Sequence, residues 1–100
     1  MSNPSEPAAR VYAAALVEVG NETGQMGAIY DDLMAVARMY DEDDWFRSFF
    51  TSPRIDRDVK WRGVKAAFEG QVQRPVLGLL KVLIDKGRTS LLDNVAGQFE

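Results

Sequence analysis

The densest group of potential ligands in the chain is Asp41-Glu42-Asp43-Asp44, four successive carboxylates that could offer oxygen to a hard cation such as Ca²⁺. An EF-hand loop sets a Gly at its sixth position and a Glu at its twelfth. Counted from Asp41, those positions hold Phe46 and Ser52. The acids fit instead the start of a helix, where the backbone dipole favours negative charge. Lys86-Gly87-Arg88-Thr89 has the ingredients of a phosphate loop but not the Gly-x-x-x-x-Gly-Lys-Ser/Thr spacing that turns successive amides toward a phosphate. A glycine helix cap with cations at the negative dipole end accounts for it. Trp45, Phe46, Phe49, Phe50 and Trp61 could stack a ligand or bases, but aromatics at helical spacing are expected in a core.

With no Cys and no His, the chain lacks disulfides, thiolate nucleophiles, imidazole bases and most transition-metal ligands. No nucleophile stands beside a base, and no pair of acids converges by spacing. The expectation is a protein without catalytic residues, cofactor or metal. Twelve Lys and Arg against fifteen Asp and Glu leave a net charge of -3. The cations are scattered singly, which argues against nucleic acid as a partner. The longest apolar runs, Val11 to Val17 and the stretch through Val82 to Ile84, fall short of the roughly 20 residues that span a bilayer. Met1 to Pro7 is neither a signal peptide nor an Arg-rich transit sequence, which implies residence in a cytoplasm and no direct membrane insertion.

The elements that would position these residues are helices. Ala8, Val11, Tyr12, Ala15, Leu16 and Val19 recur at helical spacing until Gly20-Asn21-Glu22-Thr23-Gly24. Met26, Ile29, Tyr30, Leu33, Val36, Ala37 and Tyr40 form a second stripe, with Asp31, Asp32 and Arg38 off it. Trp45, Phe46, Phe49 and Phe50 make a short third helix before Ser52-Pro53. Asp56 can cap a fourth, with Trp61, Val64, Ala67 and Phe68 apolar and Trp61 as anchor, ending near Gly70. The fifth opens on Pro75 and closes at Gly87; the sixth carries Leu92, Val95, Ala96 and Phe99. No strand-period alternation competes. The expected fold is all-α, a compact six-helix bundle in a single domain, with residues 1–7 as a flexible tail and 8–100 as the helical part.

The fifth helix has more apolar surface than one core requires. At about 100° per residue, Val82, Leu79, Leu83, Val76, Leu80, Ile84 and Leu77 cover an arc of roughly 220°, leaving only Lys81 and Asp85 on a charged sector. Two destinations are open. The helix can be central, surrounded by the other five. Alternatively, the edge of the arc at Gly78 and Val82 stays at the surface as half of a groove for a partner helix, because a mid-helix Gly permits close approach of another backbone. The first helix also has surplus apolar surface, with Ala13 to Val17 unbroken by charge. If helices one and five lie side by side, Tyr12, Ala15, Gly78 and Val82 line a shallow apolar groove for helix-in-groove recognition.

The string Arg10-Val11-Tyr12-Ala13-Ala14-Ala15-Leu16 resembles the "YAxAL" opening of the delta subunit of F-type ATP synthases, the oligomycin-sensitivity-conferring protein of mitochondria. Leu79 to Leu92 resembles the family's "LxxLLxxLxxxGRLxLL" signature, and Ser52-Pro53-Arg54-Ile55 its "SPR" turn. The resemblance runs from about Arg10 to Phe99. It implies a six-helix N-terminal domain that grips the N-terminal helix of an alpha subunit between helices one and five. The implied contacts fall on Tyr12, Ala15, Gly78 and Val82, although relatives often carry a larger or polar residue where this chain has Gly78. Gly87-Arg88 is read as turn, not as binding surface.

The resemblance further implies a non-catalytic stator component, peripheral on the bacterial cytoplasmic face of the inner membrane, that links the catalytic head to the peripheral stalk. The stalk partner, subunit b, belongs to a C-terminal region expected to be absent from a chain ending at Glu100. The isolated domain is expected to be a soluble monomer. The alternative from another class is a helical RNA-binding factor of the antitermination type, which would need a basic face.

Overall fold

Apolar residues spaced every three or four positions, punctuated by glycine and proline, commit the chain to short helices that must pack on one another. The computed structural model describes residues 6–99 and shows six of them: α1 Glu6–Thr23, α2 Met26–Glu42, α3 Asp44–Thr51, α4 Arg57–Phe68, α5 Arg74–Asp85 and α6 Leu92–Phe99, the last entered through a 3₁₀ turn at Thr89–Leu91. Among the described residues there is no strand, only an isolated bridge between Glu69 and Val72. The all-α six-helix bundle is therefore as expected. Of the tail expected over residues 1–7, residues 1–5 lie outside the described residues, while Pro7 falls in the first turn of α1.

Local chemistry sets the helix ends. The Asp43 carboxylate accepts the Phe46 amide at 3.0 Å, capping α3, so the acidic run serves a helix start. Asp56 occupies the cap position of α4 but makes no side-chain hydrogen bond there. At the end of α5 the Arg88 amide donates to the Leu83 carbonyl at 2.8 Å and the Gly87 amide to Ile84 at 3.1 Å, with Gly87 at φ 67. This Schellman closure needs left-handed backbone, which glycine adopts without steric cost.

α1 packs chiefly on α6 and α2, α5 lies against α4, α1 and α2, and a continuous core joins all six helices. Its centre is Ile29 and Leu33 of α2, Phe50 of α3, Val64 of α4, Val76, Leu80 and Leu83 of α5, and Leu92 and Val95 of α6. The radius of gyration, 12.8 Å, is that of a close-packed chain of this length.

Several placements differ from those the spacing predicts. The buried face of α1 is Ala9, Ala13, Leu16 and Gly20, whereas Val11 is 67% exposed and Ala15 is exposed. The charged residues of α1, Arg10, Glu18 and Glu22, fall on the opposite side of its wheel, and the small residues pack inward where α6 and α2 approach closely. Trp45, expected in the core, is 73% exposed, lying flat on Phe49 at 5.4 Å between ring centres. Trp61 is half-buried beside the Lys81 ammonium, and Ala67 is exposed.

The buried residues of α4 include Lys60, whose Nζ donates to the Ser52 carbonyl at 2.8 Å, just past the end of α3. Arg57, one turn earlier, donates to the Asp85 carbonyl at the end of α5. The first turn of α4 thus brings two cations to the negative ends of two neighbouring helices. Asp32 of α2 is also engaged, accepting the Gln73 amide at 2.7 Å just before α5.

Candidate functional site: an apolar groove between α1 and α5

The excess apolar arc of α5 is divided between core and surface. Val76, Leu79, Leu80, Leu83 and Ile84 are buried, an arc of about 140° at 100° per residue. Gly78 and Val82 lie beyond its edge and are exposed, Val82 by 38%. On α1, Tyr12 and Val19 are half-buried and Ala15 is exposed, flanking the face that enters the core.

The two flanks meet. Tyr12, Ala15, Leu16 and Val19 of α1 and Pro75, Gly78, Leu79 and Val82 of α5 enclose a trough of about 200 Å³. All four residues singled out from sequence, Tyr12, Ala15, Gly78 and Val82, are in it. Leu16 and Leu79 are buried beneath it, and Val19 and Pro75 continue it lengthwise. Those four were absent from the sequence-derived set, although each lies three or four residues from a member of it and so on the same helical stripe. A Cβ built at Gly78 would have no neighbour within 4 Å. The glycine therefore leaves space that side chains of this fold do not fill.

Tyr12 supplies a polar atom at one end. Its hydroxyl accepts from Nη1 of Arg88 at 3.3 Å, across the turn that follows α5. Because Tyr12 is early in α1 and Arg88 lies just past the end of α5, the two helices pass the groove in opposite senses. Arg88, read from the sequence as a turn residue only, thus stands at the mouth of the groove. Nothing in its spacing announces this, because the two residues are brought together by tertiary packing.

Two larger concavities have a different character. One of about 630 Å³, between the α3–α4 turn and the end of α5, is walled by Asp56, Arg57, Asp58 and Lys60. Its two cations are already engaged with the carbonyls of Asp85 and Ser52. Burial, and to a lesser degree Arg57, pushes the Lys60 ammonium below its ordinary pKa. The other, about 580 Å³, lies between α2 and α6 and includes Asp41, Glu42 and Asp93. Desolvation, then the charge of Asp41 and a hydrogen bond with it, raise the Asp93 carboxyl above its ordinary value. Tyr40 is raised chiefly by burial and next by Asp93. Among the described residues no cluster of three or more acids is arranged to hold a metal, and no helix is long and apolar enough to cross a membrane.

Fold and groove together define a small helical bundle with an open, almost wholly apolar trough between two antiparallel helices. The chain belongs to the ATP synthase delta (OSCP) subunit family, whose model matches residues 8–100. It is 29% identical over 89 residues to the ATP synthase subunit delta of Acetivibrio thermocellus, covering 89% of this chain and 48% of that protein. It is 32% identical over 88 residues to the chloroplastic subunit delta of Gracilaria tenuistipitata var. liui, covering 88% and 48%. The chloroplastic delta chain of Chlamydomonas reinhardtii is 34% identical over 91 residues, covering 89% and 41%. The chain spans about half the length of such curated relatives.

Proposed function

We propose that this domain is a non-catalytic stator component of an F-type proton-translocating ATP synthase, and that the α1–α5 groove holds the N-terminal helix of an alpha subunit. One observation carries the reading: Tyr12, Ala15, Gly78 and Val82 share one apolar trough whose middle is left open by a glycine. Such a trough fits the apolar stripe of an amphipathic helix, with small residues at Ala15 and Gly78 letting the backbones approach.

The domain would cap the catalytic head, and a region of the subunit outside residues 8–100 would join the peripheral stalk through subunit b. Held between the two, the head does not turn with the rotor. Membrane association would come through these partners, on the cytoplasmic face in a bacterium, and the domain alone would be a monomer. An RNA-binding role has less support, since Arg47, Arg57, Lys60 and Lys81 are engaged in hydrogen bonds within the fold.

The test is titration of the folded domain with a synthetic peptide of the alpha-subunit N-terminus, followed by calorimetry or amide chemical shifts. Saturable binding with shifts concentrated on α1 and α5 is expected. Absence of binding at high micromolar peptide would sink the groove assignment, and salt-sensitive binding to RNA in its place would favour the other class.

A further inference from the structure

The fold sorts charge. Nine of the twelve Lys and Arg lie between Arg54 and Arg88, with only four of the fifteen Asp and Glu, so the rest of the chain holds three cations and eleven acids. The cations stand singly in the sequence, but packing gathers them: α1, α2 and α6 lie against one another and form an acidic side, while α4 and α5 pair into a hairpin that carries the basic one. The hairpin is antiparallel, since only residues 69–73 join its helices and Arg57 at the start of α4 reaches the Asp85 carbonyl at the end of α5. Along its outer seam the Lys81 ammonium, paired with Asp85, stands 5.7 Å from the centre of the half-buried Trp61 ring. Lys65 follows Trp61 by one turn of α4, and Leu77 and Arg74 precede Lys81 by one and two turns of α5. Arg62 lies beside them on the outer face of α4, its Nε donating only to the Asp58 carbonyl at 3.4 Å. Arg62 and Arg74 are exposed and have no carboxylate partner among the described residues, and Lys65 meets Glu69 only at 3.8 Å. A pair so exposed contributes little and exchanges readily.

We propose that the α4–α5 seam is a docking surface for an acidic protein segment, whose carboxylates meet Arg62, Lys65 and Arg74 and whose apolar side chains lie on Trp61 and Leu77. The α1–α5 groove opens on the other flank of α5, so either surface can be occupied without the other. Charge complementarity sets the sign of the partner: nine cations against four acids stand on this part of a chain whose net charge is -3. An acidic segment is repelled by the α1–α2–α6 side and drawn to the hairpin, which selects the face as well as the partner. Arg62 and Arg74 each offer a planar fork that matches a carboxylate. A peptide fits better than a phosphate chain. Asp58, Glu69 and Asp85 stand among the cations, and a segment with neutral residues between its charges avoids them, whereas a continuous polyanion meets them all. The half-buried Trp61 and Leu77 add apolar contact that a run of phosphates would not use.

The test is titration of the whole isotope-labelled chain with a synthetic peptide in which pairs of Glu alternate with single Leu. Amide shifts are expected at Trp61, Arg62, Lys65, Arg74 and Lys81, with little change in α2 and α6, and the Trp61 fluorescence should saturate along the same curve. Binding should weaken several-fold with added salt, as the Debye length shortens from about 30 Å at 0.01 M to about 10 Å at 0.1 M. The double variant Arg62→Glu/Arg74→Glu should keep the helical signal and bind about tenfold more weakly, while Arg38→Glu on α2 should stay within about twofold of the parent. Should the double variant fail to fold, Arg62→Gln and Arg74→Gln remove the charge alone, and each should weaken binding about two- to threefold at an unchanged thermal midpoint. Shifts centred on α1, α2 or α6, shifts spread evenly over every cation, or charge variants that bind like the parent overturn the proposal. Tighter binding of single-stranded RNA, or of vesicles containing anionic phospholipid, to the same face also overturns it, because the seam would then serve phosphate. So does self-association of the free domain at low salt that Arg62→Glu/Arg74→Glu abolishes, since the acidic side of a second copy would then be the partner. The groove titration with the alpha-subunit peptide reads different amides, so the failure of one reading is distinguishable from the failure of the other.

Discussion

Gly78 is the fifth residue of the twelve-residue helix α5, exposed, and with nothing within 4 Å of the point where a Cβ would stand. Replacing it with Ala adds a methyl that touches nothing, so the change in stability should be the difference in helix propensity alone. For a helix interior that difference is about 0.8 to 1.0 kcal/mol in favour of Ala, arising mainly from the backbone freedom a glycine loses on folding. In a domain of this size about 1 kcal/mol raises the thermal midpoint by roughly 4 to 8 °C. The assay is thermal and urea unfolding followed by the helical circular-dichroism signal. The urea midpoint should rise without a change in slope. Gly87→Ala is the opposing control: at φ 67 the same methyl must sit in left-handed backbone, and the domain should lose about 1 kcal/mol. A Gly78→Ala domain that is no more stable than the parent, or less, would refute the reasoning, because position 78 could then not be open. Gly78→Phe should leave the helical signal intact and abolish peptide binding by filling the trough.

Three further outcomes are expected. Ala15→Asp and Val82→Asp, both at exposed positions, should keep the helical signal and lose the alpha-subunit peptide in calorimetry; unfolding would instead assign these side chains to the core. Leu80→Ala, at a position with no solvent exposure, should cost about 2 to 5 kcal/mol in urea unfolding, several times any groove substitution. Asp93 should titrate, by carboxyl-carbon NMR, above its ordinary value of 3.8, and Asp41→Asn should bring it down; an unchanged midpoint in that variant would exclude Asp41 as a cause. Because the folded state binds this proton more tightly than the unfolded chain does, Asp93 contributes stability as the pH falls through its folded midpoint. That contribution is lost as the pH rises back through it.

Helix five shows how far the sequence reached. The arc of roughly 220° identified a helix with apolar surface to spare, and the edge of that arc, Gly78 and Val82, is where the groove opens. Periodicity could locate the edge because Lys81 and Asp85 mark the opposite side of the wheel and leave one orientation. Helix one is marked less narrowly, with Arg10, Glu18 and Glu22 spread over about 120° of its wheel. Its run of alanines fits a partner on several faces, and only the close approach of α6 and α2 turned Ala9, Ala13 and Gly20 inward and left Tyr12, Ala15 and Val19 on the flank.

The sequence by itself determined the six helices, most of their ends and most of the core, because these depend on spacing within one helix and on the conformational preferences of Gly, Pro and Asp. Three placements were decided only by tertiary structure. Trp45 lies on the surface because Phe46 and Phe50, on the other side of the same short helix, take the core positions. Lys60 is buried because the end of α3 presents a carbonyl to it. Arg88 reaches Tyr12 because α1 and the turn after α5 converge, 76 residues apart in the chain. Periodicity reports which way a side chain points from its own helix; whether it meets solvent, core or a partner charge depends on what the rest of the chain brings to that side.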